Sequence, residues 1–165
     1  DALPILSKSF GEAFYKAQEA TQTKLPLEGT VLISVSNRDK PEVVEVAADF
    51  AKAGFKIIAS DHTCSLLKEN GIEAEKINKL QEGRPNMLDV ITNGKVDMIV
   101  NTPSGKESKN DDSYLRKAAI KKKVPYMTTM AAAKAAANGI LAVKKHGSKE
   151  VKSLQEIHGE ITDKE

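Results

Sequence analysis

The run Thr30-Val31-Leu32-Ile33-Ser34-Val35 is apolar without alternation and rich in β-branched residues. A strand with one wet face alternates polar and apolar side chains, whereas a strand covered on both faces reads as a continuous hydrophobic run. A chain that opens its main region on such a strand must supply cover for both faces. Four more short runs follow: Phe55-Lys56-Ile57-Ile58-Ala59, Ala74-Glu75-Lys76-Ile77, Asp97-Met98-Ile99-Val100 and Pro125-Tyr126-Met127-Thr128. Helix-capable segments separate them. This β-α rhythm predicts an α/β fold: three layers, α/β/α, around a five-stranded parallel sheet with right-handed crossovers.

Local signals place the helices. Asp39 caps one that carries Pro41 in its first turn and stops at Gly54. A second runs from Asp61 to Asn70 and ends at Gly71, and a third spans Pro85 to about Asn93. A polar loop is expected through Asp111, then a helix with Tyr114, Leu115, Ala118 and Ala119. The alanine-rich stretch Thr129–Val143 reads as a helix packed on the sheet, with Lys144-Lys145-His146-Gly147 at its exit and a separate last helix over Lys152–Ile161. Upstream, Ser9-Phe10-Gly11-Glu12 has capping-box spacing and opens a helix to about Ala20, before a linker at Lys24–Gly29. The expected organisation is a lead-in segment and linker over residues 1–28 and one domain over 29–165.

Composition narrows the function. The formal charge of +2 and an ordinary share of charged residues, 29%, give no electrostatic footprint for nucleic acid, and 4% aromatics leave few stacking platforms. Neither a signal peptide nor an apolar run of membrane-spanning length stands out. The single cysteine, Cys64, cannot form an intrachain disulfide and suits a reducing, cytoplasmic setting. The chain opens on Asp1 rather than Met, as expected of a piece of a longer polypeptide or a trimmed form.

If the strands are parallel, their carboxyl ends share one edge, where open α/β sheets bind ligands. Onto it fall Ser34 to Lys40, then Ser60-Asp61-His62-Thr63, then Asn78-Lys79, then Asn101-Thr102-Pro103-Ser104-Gly105. Lysines, hydroxyls and helix amino ends together suit a phosphate. Each segment alone is equally an ordinary strand-to-helix loop. Catalytic groups are sparse: no Gly-rich dinucleotide fingerprint or P-loop is present. His62 lies on this edge but lacks metal-ligand partners at a recognisable spacing. Cys64 reads as a small buried helix residue, although a helix amino end can activate a thiol. No catalytic residue and no metal ligand is assigned.

These same residues resemble a known family. Val31–Val35 with Asp39-Lys40, Asn78-Lys79 with Glu82-Gly83-Arg84-Pro85, and Asn101-Thr102 with Ser104-Gly105 are similar to the C-terminal regulatory domain of the carbamoyl-phosphate synthase large subunit. That domain has the methylglyoxal synthase-like fold. Ser9–Gln18 resembles the segment leading into it, and Ser153–His158 its closing helix. The resemblance implies an allosteric domain that binds uridine monophosphate as inhibitor and inosine monophosphate as activator. It implies Lys40, Ser60, Thr63 and Lys79 at the effector phosphate. Met87, Asn101, Thr102, Asp111, Tyr114 and Leu115 would meet ribose and base, and Thr128 would face a neighbouring domain where ornithine binds. The domain would hold no cofactor. Its parent would be an ATP- and Mg-dependent ligase with a glutaminase small subunit and large-subunit self-association, serving pyrimidine and arginine synthesis.

Three positions depart from the family pattern. Ser60 stands for a threonine, His62 for a glycine and Pro103 for a hydroxyl residue. The last two changes also occur in urea-cycle relatives that sense N-acetylglutamate, so that ligand is an alternative. A lyase of the methylglyoxal synthase type, acting on dihydroxyacetone phosphate, is another. Asp89 would be its candidate carboxylate but reads more simply as a polar helix residue, and Ser108-Lys109-Asn110-Asp111-Asp112 lacks the histidine such enzymes carry there.

Overall fold

The computed structural model describes residues 25–162 and the side chains of 25–146. The helix expected over Ser9–Ala20 lies outside the described residues. Five strands form one sheet: β1 (Thr30–Val35), β2 (Lys56–Ser60), β3 (Glu75–Ile77), β4 (Met98–Thr102) and β5 (Tyr126–Met127). Their spatial order is β3-β2-β1-β4-β5, and every pairing is parallel. Five α-helices alternate with them: α1 (Lys40–Lys52), α2 (Asp61–Glu69), α3 (Met87–Thr92), α4 (Lys106–Lys121) and α5 (Met130–Thr162). A 3-10 turn, Asn37–Asp39, leads into α1.

Each face of the sheet has its own core. Val31, Ile33 and Val35 of β1 point to one side, where they meet Val43, Val46, Ala47 and Phe50 of α1, Leu67 of α2, and Ala133, Ala136 and Ile140 of α5. Leu32, Ile58 and Ile99 point to the other, against Val90 and Ile91 of α3 and Leu115 and Ala119 of α4. Alternate residues of one apolar strand thus feed two cores, as the unbroken run requires. Leu25 also packs into the first core.

Three local expectations are corrected. Helix α3 starts at Met87, not Pro85: Asn86 is its cap, accepting from the Asp89 amide, while the Asp89 carboxylate accepts from the Asn86 amide. That reciprocal box opens the helix two residues later than proline alone suggests. The polar stretch before Asp111 is not all loop. It is helical from Lys106, because Leu115 and Ala119 dock the segment on the sheet and outweigh the turn preference of its Ser, Asn and Asp residues. Finally, the alanine-rich helix continues through His146 and Gly147 to Thr162, so the last helix is not separate. One glycine within a helix costs only about 1 kcal/mol relative to Ala.

The amino ends of the central strands are stitched together. The Thr30 amide donates to Asp97 Oδ2 at 2.8 Å, the Asp97 amide to the Thr30 carbonyl at 2.8 Å, and the Lys56 amide to the Gly29 carbonyl at 2.9 Å. This sets the register in which Ser34 lies beside Asn101 and Val35 beside Thr102 at the carboxyl ends.

Candidate functional site

Chain direction across the sheet reverses at β1. From it the chain steps outward to β2 and β3, then returns to place β4 on the other flank. The connections leaving β1 and β4 therefore diverge onto opposite faces and open a crevice between them. A recess occupies this point, walled by Ser34, Ser36, Lys79, Met87, Thr102 and Ser108.

Each wall is held by its own local chemistry. After β1, the Ser36 amide donates to Thr102 Oγ1 at 2.9 Å, tying the β1 exit to the β4 exit. The Thr102 hydroxyl accepts there and keeps its proton to donate. Ser36 Oγ donates to Asp39 at 2.9 Å, which shapes the turn into α1. After β3, the Met87 amide donates to the Asn78 carbonyl at 2.9 Å and closes the base of a long loop. Within it the Lys79 amide donates to Glu82 Oε1, and the Glu82 amide to the Lys79 carbonyl, both at 3.0 Å. Gly83 turns this loop at φ +124°, a region L side chains rarely enter. The half-buried Lys79 side chain is thereby carried to the recess, and its ammonium makes no salt bridge among the described residues. Gln81 Nε2 donates to Asp111 and joins the same loop to α4.

Six of the ten residues expected at an effector line this recess: Lys79, Met87, Asn101, Thr102, Asp111 and Leu115. The other four do not. Ser60 and Thr63 are buried; the Ser60 hydroxyl donates to Thr63 Oγ1 at 3.3 Å, and Thr63 Oγ1 also accepts from the Val35 amide at 3.4 Å. They brace the strand exits from beneath. Lys40 Nζ donates to Asn37 Oδ1 at 2.7 Å, one turn away, and Tyr114 is exposed on α4. Thr128 follows β5, half-buried, outside the recess.

His62 is exposed in the first turn of α2. Asp89 is occupied structurally: beyond the cap, it accepts from Arg84 Nη2 at 2.6 Å and Nε at 3.2 Å. The hydrogen bond from Arg84, followed by that from the Asn86 amide, holds its carboxyl below the usual carboxylate range. Cys64 is buried, its thiol 3.6 Å from the Ala74 carbonyl.

Sequence reasoning missed Ser108, which it placed in a loop rather than on the first turns of α4. It also missed a polar cluster behind the recess. Tyr126 OH donates to Asp112 Oδ1, Asn101 Nδ2 donates to Tyr126 OH at 2.8 Å and lies 3.4 Å from Asp112 Oδ1, and Arg116 Nη2 donates to Asp112 Oδ2 at 3.1 Å. These residues come from β4, α4 and β5, so no sequence spacing announces them.

The sequence model of the MGS-like domain matches residues 42–128, from α1 to the end of β5. The chain belongs to the MGS-like domain family. Its similarity to known proteins runs beyond that core. This MGS-like domain chain is 47% identical over 162 residues to the carbamoyl phosphate synthase large chain, C-terminal section, of Methanopyrus kandleri, covering 97% of the chain and 30% of the relative. It is 45% identical to the corresponding section from Aquifex aeolicus, covering 93% of the chain and 29% of the relative. With the large chain of Archaeoglobus fulgidus it shares 49% identity over 92% of its own length and 14% of that protein's. The chain thus spans less than a third of each of these relatives. Among solved structures it resembles methylglyoxal synthase from Elizabethkingia anophelis, with a TM-score of 0.53 at 18% identity, covering 66% of this chain and 76% of that one. That likeness shows the fold. Both the α/β architecture and the family read from the residues are borne out.

Proposed function

We propose that this MGS-like domain is an effector-binding domain of a carbamoyl phosphate synthase large chain, and that its recess takes the phosphate of a nucleoside monophosphate. One observation carries the reading. Lys79 and the hydroxyl-bearing Ser34, Thr102, Ser104 and Ser108 line one recess at the switch point of a parallel sheet. Such a site supplies charge and donors to an oxyanion. Similarity over 93–97% of this chain to C-terminal sections of carbamoyl phosphate synthase large chains supplies the context in which an effector would matter. In this reading the domain performs no chemistry and holds no cofactor. ATP, Mg, the glutaminase subunit and self-association belong to a cytoplasmic parent assembly. Uridine and inosine monophosphates are the proposed effectors, competing for one recess. Regulation would be a coupling free energy of about 1–3 kcal/mol between effector and active sites.

Titration calorimetry of the chain with uridine monophosphate, inosine monophosphate and N-acetylglutamate tests this. Saturable nucleotide binding is expected, lost in Lys79→Ala and only weakened in Lys40→Ala, because Lys40 stands outside the recess. Binding confined to N-acetylglutamate would reassign the effector. Methylglyoxal release from dihydroxyacetone phosphate would replace the regulatory reading with a lyase.

A further inference from the structure

The polar cluster behind the recess determines which way Asn101 faces. Asp112 is a carboxylate and can only accept, so the Asn101 atom beside it must be the amide nitrogen. Tyr126 has one proton, which goes to Asp112; its oxygen therefore accepts from the same amide nitrogen. The amide nitrogen is thus held on the cluster side, one of its hydrogens shared between the Tyr126 oxygen and the nearer Asp112 oxygen. Arg116 anchors the far oxygen of Asp112 and lies over the Tyr126 ring, 5.4 Å from its centroid. Burial, and then the bond to Asp112, push the Tyr126 phenol well above its ordinary range, so its proton stays in place across the physiological range. Asn101 Oδ1 takes no hydrogen bond from any described residue. No buried side-chain nitrogen or oxygen among the described residues lacks a partner. Oδ1 therefore opens on the recess that Asn101 lines.

We infer that Tyr126, Asp112 and Arg116 are positioning residues that lock the Asn101 amide with its carbonyl oxygen toward the recess. The site thereby selects phosphorylated ligands that present a hydroxyl or N–H donor beside the phosphate, over bare anions. This rests on the effector reading above and adds the polarity of one recognition point. Without the cluster the amide is free to rotate and presents donor and acceptor alike. An acceptor at this point repels a second phosphate oxygen and welcomes a sugar hydroxyl or a base N–H.

The test compares affinities of the chain for uridine monophosphate and inorganic phosphate in wild type, Tyr126→Phe and Asp112→Asn. Tyr126→Phe keeps the ring and removes the hydroxyl, so nucleotide affinity is expected to fall about five- to tenfold, the worth of one hydrogen bond. Phosphate affinity should stay within about twofold, since Lys79 and the recess hydroxyls are untouched. It also reports that the variant is folded. Asp112→Asn should shift the same ratio in the same direction. An unchanged ratio in both variants overturns the inference while leaving the effector reading intact. Equal loss for both ligands also overturns it, as that marks a purely structural cluster. No binding of either ligand by the wild-type chain overturns the inference together with the reading on which it rests.

Discussion

Asp89 shows how a side chain that reads most simply as a polar helix residue in sequence acquires a definite structural task in space. It follows a Gly-Arg-Pro loop and would suit a proton-transfer role, yet its carboxylate is occupied by the Asn86 amide and the Arg84 guanidinium. Because those partners lower its pKa in the folded state, its contribution to stability is fully present above the unfolded carboxylate value of about 3.9 and is lost as pH falls through the folded value. Urea unfolding of wild type and Asp89→Asn should show a stability gap that is flat at neutral pH and closes in acid. A gap unchanged down to pH ~2 would mean the carboxylate's charge plays no part. Neither partner was assigned from sequence. The Asn-x-x-Asp spacing was visible, but whether its groups cap a helix or face a ligand depends on where the preceding loop aims them.

At the scale of elements, strands were legible and helix limits less so. The central strands β1 and β4 are buried on both faces and read as unbroken apolar runs, whereas β3 carries two exposed charges and is read from its place in the β-α rhythm. Helix α4 begins in Lys-Glu-Ser-Lys-Asn-Asp-Asp-Ser, whose residues prefer turns, and its helicity comes from burial of Leu115 and Ala119 and from the Asp112–Arg116 pair one turn apart. That support is tertiary and invisible to local propensity. The stitching of strand ends makes a sharper prediction. Gly29 sits at φ +124°, and a Cβ built there would lie 2.1 Å from Asp97 Oδ2, the atom that accepts from the Thr30 amide. Gly29→Ala should therefore destabilise the fold by about 1–3 kcal/mol, by strain and by displacing that carboxylate. The midpoint of urea denaturation should fall accordingly. A neutral effect would show that the β1–β4 register does not rest on this contact.

For the molecule as a whole, two cores share one sheet, and the recess lies at the end of the smaller one. Leu115 belongs to both: it is 1% exposed in the core under α4 and also lines the recess floor. Leu115→Ala should cost about 2–5 kcal/mol by leaving a cavity. It should also loosen the seat of α4, so nucleotide affinity drops along with the melting temperature. Ile140→Ala, in the core on the opposite face, should cost a comparable amount of stability with ligand affinity preserved. If both variants weaken binding equally, the two faces are coupled and the recess is not served by one core alone.

The sequence by itself determined the strands, their alternation with helices and the edge on which chemistry gathers, because apolar runs are local signals and parallel strands send every carboxyl end the same way. It also placed Lys79, Asn101 and Thr102 on that edge. Only the tertiary structure decided which edge residues share a recess. The order β3-β2-β1-β4-β5 is set by pairings between residues far apart in the chain, and it seats β4 rather than β2 beside the recess side of β1. Ser60 and Thr63 consequently turn inward to bond each other and the Val35 amide, and Asn101 is backed by Tyr126 and Asp112 from two other elements. A hydrogen-bonding side chain acts according to its direction and its partner, and both are properties of the packed molecule rather than of the residue list.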